Sequence, residues 1–233
     1  MKRLLFVILA LWMGVGVAYS QTNEVETGVG KKKEYSNNRI WRNRAGYFNV
    51  GFVQQAVVED YTFSSVNAVL MVSDWGASLT SGKTFYLHKK PIADMVKVGV
   101  DWSWFDLNVA SYVSNLNYVP GNVDFQLYQA EIGMQLGPSV TVNPVHHLKV
   151  SAYFRVAPSY SALYNVDRKQ GYGNYVTMYN VGAAVAWKLL SVGVEYRGGK
   201  CAYKSFDGDY YFVGTKEDKL KTRGVRFYFG FRF

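Results

Sequence analysis

GVRFYFGFRF, residues 224–233, alternates without a break. Val225, Phe227, Phe229, Phe231 and Phe233 fall on one side of an extended chain. Gly224, Arg226, Tyr228, Gly230 and Arg232 fall on the other. A period of two is that of a strand and not of a helix. A row of four phenylalanines needs an apolar neighbour, and two would serve: the core of a soluble domain or the hydrocarbon of a membrane.

The same alternation recurs upstream. Val96, Val98, Val100, Trp102 and Trp104 share a face opposite Lys97, Gly99, Asp101 and Ser103. Leu148, Val150, Ala152, Phe154 and Val156 oppose His147, Lys149, Ser151, Tyr153 and Arg155. Val192, Val194 and Tyr196 oppose Gly193, Glu195 and Arg197. Together with less regular runs, the pattern predicts eight strands, over about 46–58, 74–87, 95–110, 124–140, 147–160, 175–189, 191–204 and 221–233. Most reach the about 9–11 residues that a tilted strand needs to cross a membrane.

The intervening segments sort themselves. Those near 59–73, 111–123, 161–174 and 205–220 are long, while the other three are short. Strict long–short alternation predicts an up-and-down transmembrane barrel, with short turns at one end and long loops at the other. Tyr47, Phe48, Phe85, Tyr86, Trp187, Tyr210 and Tyr211 lie near strand ends, where interfacial aromatic girdles belong. All five prolines are expected in turns or near strand ends.

The N-terminus has the form of a secretory signal: Lys2 and Arg3, an apolar run from Leu4 to Val17, then Ala18-Tyr19-Ser20. The organisation expected is therefore a signal peptide at 1–20, a basic periplasmic leader at 21–45 and a barrel at 46–233. Without Lys2 and Arg3 the 26 basic and 17 acidic residues leave a net charge of +7. In an exported chain that charge suits loops, tail and a polar interior, and no nucleic-acid motif accompanies it. Cys201 is the only cysteine, which excludes an intramolecular disulfide and a multi-cysteine metal site.

In a membrane barrel the charged face turns inward. The expected interior charges are Lys97, Asp101, Glu131, Lys149, Arg155, Glu195, Arg197, Arg226 and Arg232. Eight strands enclose a space that side chains just fill. A plugged interior and a narrow pore both satisfy this pattern. Arg226 and Arg232 are candidate partners for Glu195 or Asp101. His88, His146 and His147 fall in or beside predicted short turns, outside any HExxH spacing, so no metal, cofactor or catalytic residue is expected. The Tyr-rich stretches 160–175 and 204–219 are the candidate outer loops for a surface ligand or glycan.

With its signal segment, eight amphipathic strands and aromatic terminus, the chain resembles the small outer-membrane β-barrel proteins of Gram-negative bacteria, the OmpX-like and porin-like barrels. YLHKKPIADMVKVGVDWSWFDLN, residues 86–108, is similar to a turn-plus-strand of such families. The resemblance implies outer-membrane lipid as surroundings. It also implies insertion by the assembly machinery, which would read Phe229, Phe231 and Phe233 in the last strand. It carries over no catalytic motif. The expected function is a non-enzymatic structural, surface-binding or narrow-pore role. The alternatives are a lipid- or peptide-modifying barrel enzyme and an exported soluble barrel that binds a small apolar ligand.

Overall fold

A computed structural model describes residues 41, 44–59, 68–114, 125–145, 147–212 and 219–233. The expected signal peptide, nearly all of the expected leader and His146 lie outside the described residues. The described strands belong to one compact unit, Asn43–Arg232. It is built of β1 (Arg44–Glu59), β2 (Ala68–Tyr86), β3 (Val96–Ser114), β4 (Phe125–Val145), β5 (Leu148–Asn165), β6 (Gln170–Trp187), β7 (Leu190–Cys201), β8 (Lys204–Ser205) and β9 (Leu220–Arg232). Each long strand runs antiparallel to its neighbour, and β9 lies between β7 and β1. The sheet therefore closes into an eight-stranded up-and-down barrel with no free edge. The two-residue β8 adds to β6 at one rim.

The wall is inside out relative to a soluble barrel. On β9, Phe227, Phe229 and Phe231 face outward, Phe229 with 76% of its surface exposed, while Arg226 retains 2%. Leu190, Val192 and Val194 of β7 and Val181 and Val185 of β6 are likewise exposed. Ser191, Glu195, Arg197 and Asn180 are enclosed. Apolar residues that water would repel stay on the outside only if the outside is apolar.

The eight long strands have 12 to 21 residues, more than a crossing needs. The excess shows in a change of sense along single strands. On β9, Phe227 and Phe229 point out and Arg226 in, but above Gly224 it is Leu220 that points in and Lys221 and Arg223 that point out. β7 changes at the same level, from exposed Val194 to exposed Lys200. Above this level β7 and β9 obey soluble-protein logic, with Cys201 and Leu220 inward and cations outward. The change marks the edge of the hydrocarbon.

Three expectations need correction. Strict alternation of connection length fails: 87–95, at the turn end, is longer than 166–169, at the loop end. The cause is that the stretch expected as a loop over 161–174 is mostly strand, because β5 and β6 continue their pairing to Asn165 and Gln170. The parity of the ends survives, since 146–147 and 188–189 also lie at the turn end. Tyr47 is not a girdle residue: it is fully buried in the lumen. The prolines are not confined to strand ends either. Pro138 and Pro158 lie within β4 and β5, where the β4–β5 register skips the positions around them while Pro138 pairs with Val100 and Pro158 with Thr177. A proline lacks the N–H that one of its two ladders needs, and that ladder is the interrupted one.

A bulge in β3 matters most for the interior. Between Ser103 and Asp106 the pairing with β4 gains an irregularity, and the pairing with β2 shifts at Ser81/Gly82. The inward residues are Lys97, Gly99, Asp101 and Ser103 before it, and Asp106, Asn108, Ala110 and Tyr112 after it. An extra residue reverses which parity faces the lumen.

Candidate functional site: the barrel lumen

Inward positions of eight strands converge on one narrow space, and their charges are close enough to pair. Asp101 on β3 meets Arg155 on β5 at 2.6 Å. Arg155 lies 3.6 Å from Glu195 on β7 and donates to the Gln135 side-chain oxygen at 2.9 Å. Glu195 takes Arg226 on β9 at 3.1 Å. Arg226 also forks onto both oxygens of Asp106, at 2.7 and 3.2 Å. Arg197 links Asp106, at 3.7 Å, to Glu131, at 2.9 Å. The sequence Asp101–Arg155–Glu195–Arg226–Asp106–Arg197–Glu131 is thus an unbroken chain of alternating charge across the lumen.

Neutral donors complete the carboxylates. Ser139 donates to Asp101 at 2.9 Å and Thr80 to Asp106 at 2.9 Å. The side-chain amides of Asn108 and Gln129 each donate to Glu131 at 3.0 Å. Such partners are what make enclosed charges tolerable, because an unpaired one carries a desolvation cost of several kcal/mol. Arg197 differs from Arg226: its nitrogens approach carboxylates but are not aligned as hydrogen-bond donors, so its tie is one of charge and not of forked geometry.

Aromatic rings fill the turn-side part of this layer. The Arg155 guanidinium stacks 3.6 Å from the Tyr153 ring and 5.3 Å from that of Tyr47, and Arg232 lies 5.0 Å from Tyr47. Lys97 sits 5.2 Å from the Tyr86 ring. Tyr153 and Tyr228 share a hydrogen bond across the barrel at 3.0 Å. Tyr153 lies over Gly182 and Tyr228 over Gly193, so close that a Cβ at either glycine would collide with the ring. Glycine makes the room that these tyrosines occupy.

Toward the loop end the lining becomes neutral, then apolar. Gln129 donates to Tyr203 at 2.7 Å and accepts from Gln55 at 2.9 Å and from Tyr112. Above it Met71, Leu127, Leu163, Val176, Met178 and Leu220 form a buried cluster with Tyr172 and Tyr203, against which Phe212 packs. Tyr203 belongs to the β7–β9 connection, and its hydroxyl is 2.8 Å from Ser161 inside the barrel. Tyr203 thereby reaches from that connection into the mouth of the barrel. Among Asn49, Ser78, Thr80, Arg155, Glu195, Arg226 and Tyr228 there remains a void of about 10 Å³, the size needed for roughly one water molecule.

Of the nine charges expected inside, Lys97, Asp101, Glu131, Arg155, Glu195, Arg197 and Arg226 are buried in the lumen. Lys149 and Arg232 are half-buried near the turn end. Arg226 does meet Glu195, whereas Arg232 meets a ring and not a carboxylate. Asp106, the hub of two ion pairs, escaped the sequence reading because simple alternation places it outside; the adjacent Trp104 and Phe105 were the one signal of the bulge. Phe229 and Phe231 lie on the outer wall, and β9 stops at Arg232, one residue before Phe233. His88 accepts from the Val98 N–H at 3.0 Å, and His147 meets Trp187 edge to face; both lie at the turn end. Among the described residues no group of three or more His, Cys, Asp or Glu is placed to hold a metal.

A closed, even-numbered, antiparallel barrel with an apolar wall and a polar lumen defines a class: the transmembrane β-barrels of outer-membrane type. No protein-family model and no curated protein matches the sequence. Solved structures share the outline. The attachment invasion locus protein Ail of Yersinia pestis, crystallised with the heparin analogue sucrose octasulfate, has a TM-score of 0.45 and 13% identity, over 82% of this chain and 100% of that one. The outer membrane protease OmpT of Escherichia coli has a TM-score of 0.46 and 7% identity, over 82% and 96%. Neisserial surface protein A has a TM-score of 0.36 and 12% identity, over 79% and 95%. At such identities the likeness concerns shape, and the class rests on the chain's own wall and lumen.

Proposed function

We propose that the chain is a non-enzymatic protein of the bacterial outer membrane, exported by its N-terminal signal, with a closed lumen and a ligand-binding outer face. The observation that supports the closed lumen is the seven-residue chain of charges that crosses it from Asp101 to Glu131, with room for about one water beside Arg155, Glu195 and Arg226. The outer face is the β5–β6 hairpin, which rises above the level where the wall changes sense. There Tyr160 pairs across strands with Tyr175, and Tyr164 with Tyr128, all four exposed. Flat exposed rings on a rigid hairpin suit stacking against a glycan. Val166–Lys169 at its tip adds Asp167, Arg168 and Lys169. Planar-bilayer recording tests the closed lumen: the folded protein gives no single-channel openings, and a steady ohmic conductance in the wild type refutes the reading.

A further inference from the structure

The two rims of the barrel carry charge differently. At the loop end Asp74, Asp167, Asp207 and Asp209 are interspersed with cations such as Arg168, Lys169 and Lys204. At the turn end the exposed charged side chains among the described residues are Lys83, Lys89, Lys90 and Lys188, with Asp94 as the one exposed acidic side chain. Lys89 and Lys90 lie in the β2–β3 connection, beside Lys83 near the end of β2, and Lys188 lies in the β6–β7 turn on another sector of the rim. Lys188 holds a left-handed backbone, φ 54°, in a two-residue turn.

Lys83 gives the rim its depth. It is an outward residue of β2, on the wall itself, directly opposite exposed Trp102 on β3. Its ammonium lies 5.5 Å from the Trp104 ring. A lysine held among tryptophans on a lipid-facing wall sits where aromatic girdles sit, at the level of headgroups.

We infer that the turn-end rim is a collar for anionic phospholipid headgroups of the leaflet it crosses, with Lys83 between Trp102 and Trp104 as its deepest contact and Lys89, Lys90 and Lys188 around it. The inference rests on the membrane-crossing wall and is independent of the closed lumen. Each cation near an anionic surface strengthens attraction about fivefold.

The test uses the full chain, folded in detergent and equilibrated with phosphatidylglycerol and phosphatidylcholine of identical acyl chains. Native mass spectrometry reads the ratio of the two retained lipids. The wild type retains the anionic lipid in at least about fivefold excess. The variant K83Q/K89Q/K90Q/K188Q, shown to be folded by its heat-modifiable gel migration, brings the ratio close to one, and K83Q alone lowers it. A wild-type ratio of one overturns the collar, and so does an excess that survives the fourfold substitution. Displacement of the lipid by inorganic phosphate at equal concentration, or by a soluble anionic glycan, overturns it too, because the rim would then take anions without regard to the bilayer.

Discussion

The lumen has two halves that are held together by opposite means. The middle and turn-side part is polar and ionic, with its contacts made across the barrel: Arg226 reaches Asp106 over a sequence separation of 120. The loop-side part is an apolar cluster that includes Tyr203 from the β7–β9 connection, with Phe212 of the same connection packed against it. The same strands build both. What changes is the medium outside: lipid around the first, water around the second. Within lipid, inward residues are the ones free to be polar; above it, burying apolar side chains inside is again favourable. The comparison teaches that a single strand can carry both patterns in succession, and that the change of sense locates the membrane edge.

The ionic half should be the more sensitive to a single loss. Arg226→Ala strips the shared partner from Asp106 and Glu195 and leaves two enclosed carboxylates short of charge. The expected cost is about 3–5 kcal/mol, read as a lowered urea midpoint of barrel unfolding in vesicles. A loss below about 1 kcal/mol would show that the charges are solvated and not mutually dependent.

The apolar half should fail locally. Tyr203→Ala removes a ring from the cluster and leaves Gln129 and Ser161 without its hydroxyl, a cost of about 1–3 kcal/mol confined to the mouth. Hydrogen exchange at Cys201–Ser205 and at Tyr172–Gly173 should quicken, while the unfolding midpoint of the barrel moves less than in Arg226→Ala. Equal shifts in both variants would dissolve the distinction between the halves.

The smallest effect concerns the rim of that mouth. Exposed Lys204 and Asp209 pair at 2.6 Å. Their hydrogen bond and charge hold the Asp209 carboxyl below its ordinary range and the Lys204 ammonium above its own. A lowered carboxyl contributes above its unfolded value and is lost as pH falls through the folded one. A raised ammonium contributes below its unfolded value and is lost as pH rises through the folded one. Protection of the Lys204–Asp209 segment should therefore hold across neutral pH and fall at both extremes, with Asp209→Asn abolishing the acid limb. Being exposed, the pair should leave the barrel itself unmoved.

Much of this was legible in the sequence. The eight strands, their amphipathic faces and seven of the enclosed charges follow from period two and from which residues alternate. Those are local properties, written into neighbouring positions. The β5–β6 hairpin was misread as a loop because Tyr160–Tyr175 is rich in Gly, Asn and Ser, which serve turns and exposed strands alike. Tyr47 was misplaced because an aromatic near a strand end suits a girdle and a lumen equally.

By itself, the sequence determined that this chain forms a sheet with one apolar and one charged face, since side-chain direction alternates along any extended backbone. Only the tertiary structure decided which charges meet. Asp106 enters the lumen through a bulge whose position depends on the register with β2 and β4; Glu195 and Arg226 face each other in the β7–β9 ladder, but Asp106 meets Arg226 only when β9 closes on β1. The ion-paired lumen is likewise a property of the ring, because ion pairs across a barrel are fixed by strand stagger and closure, which no single segment encodes.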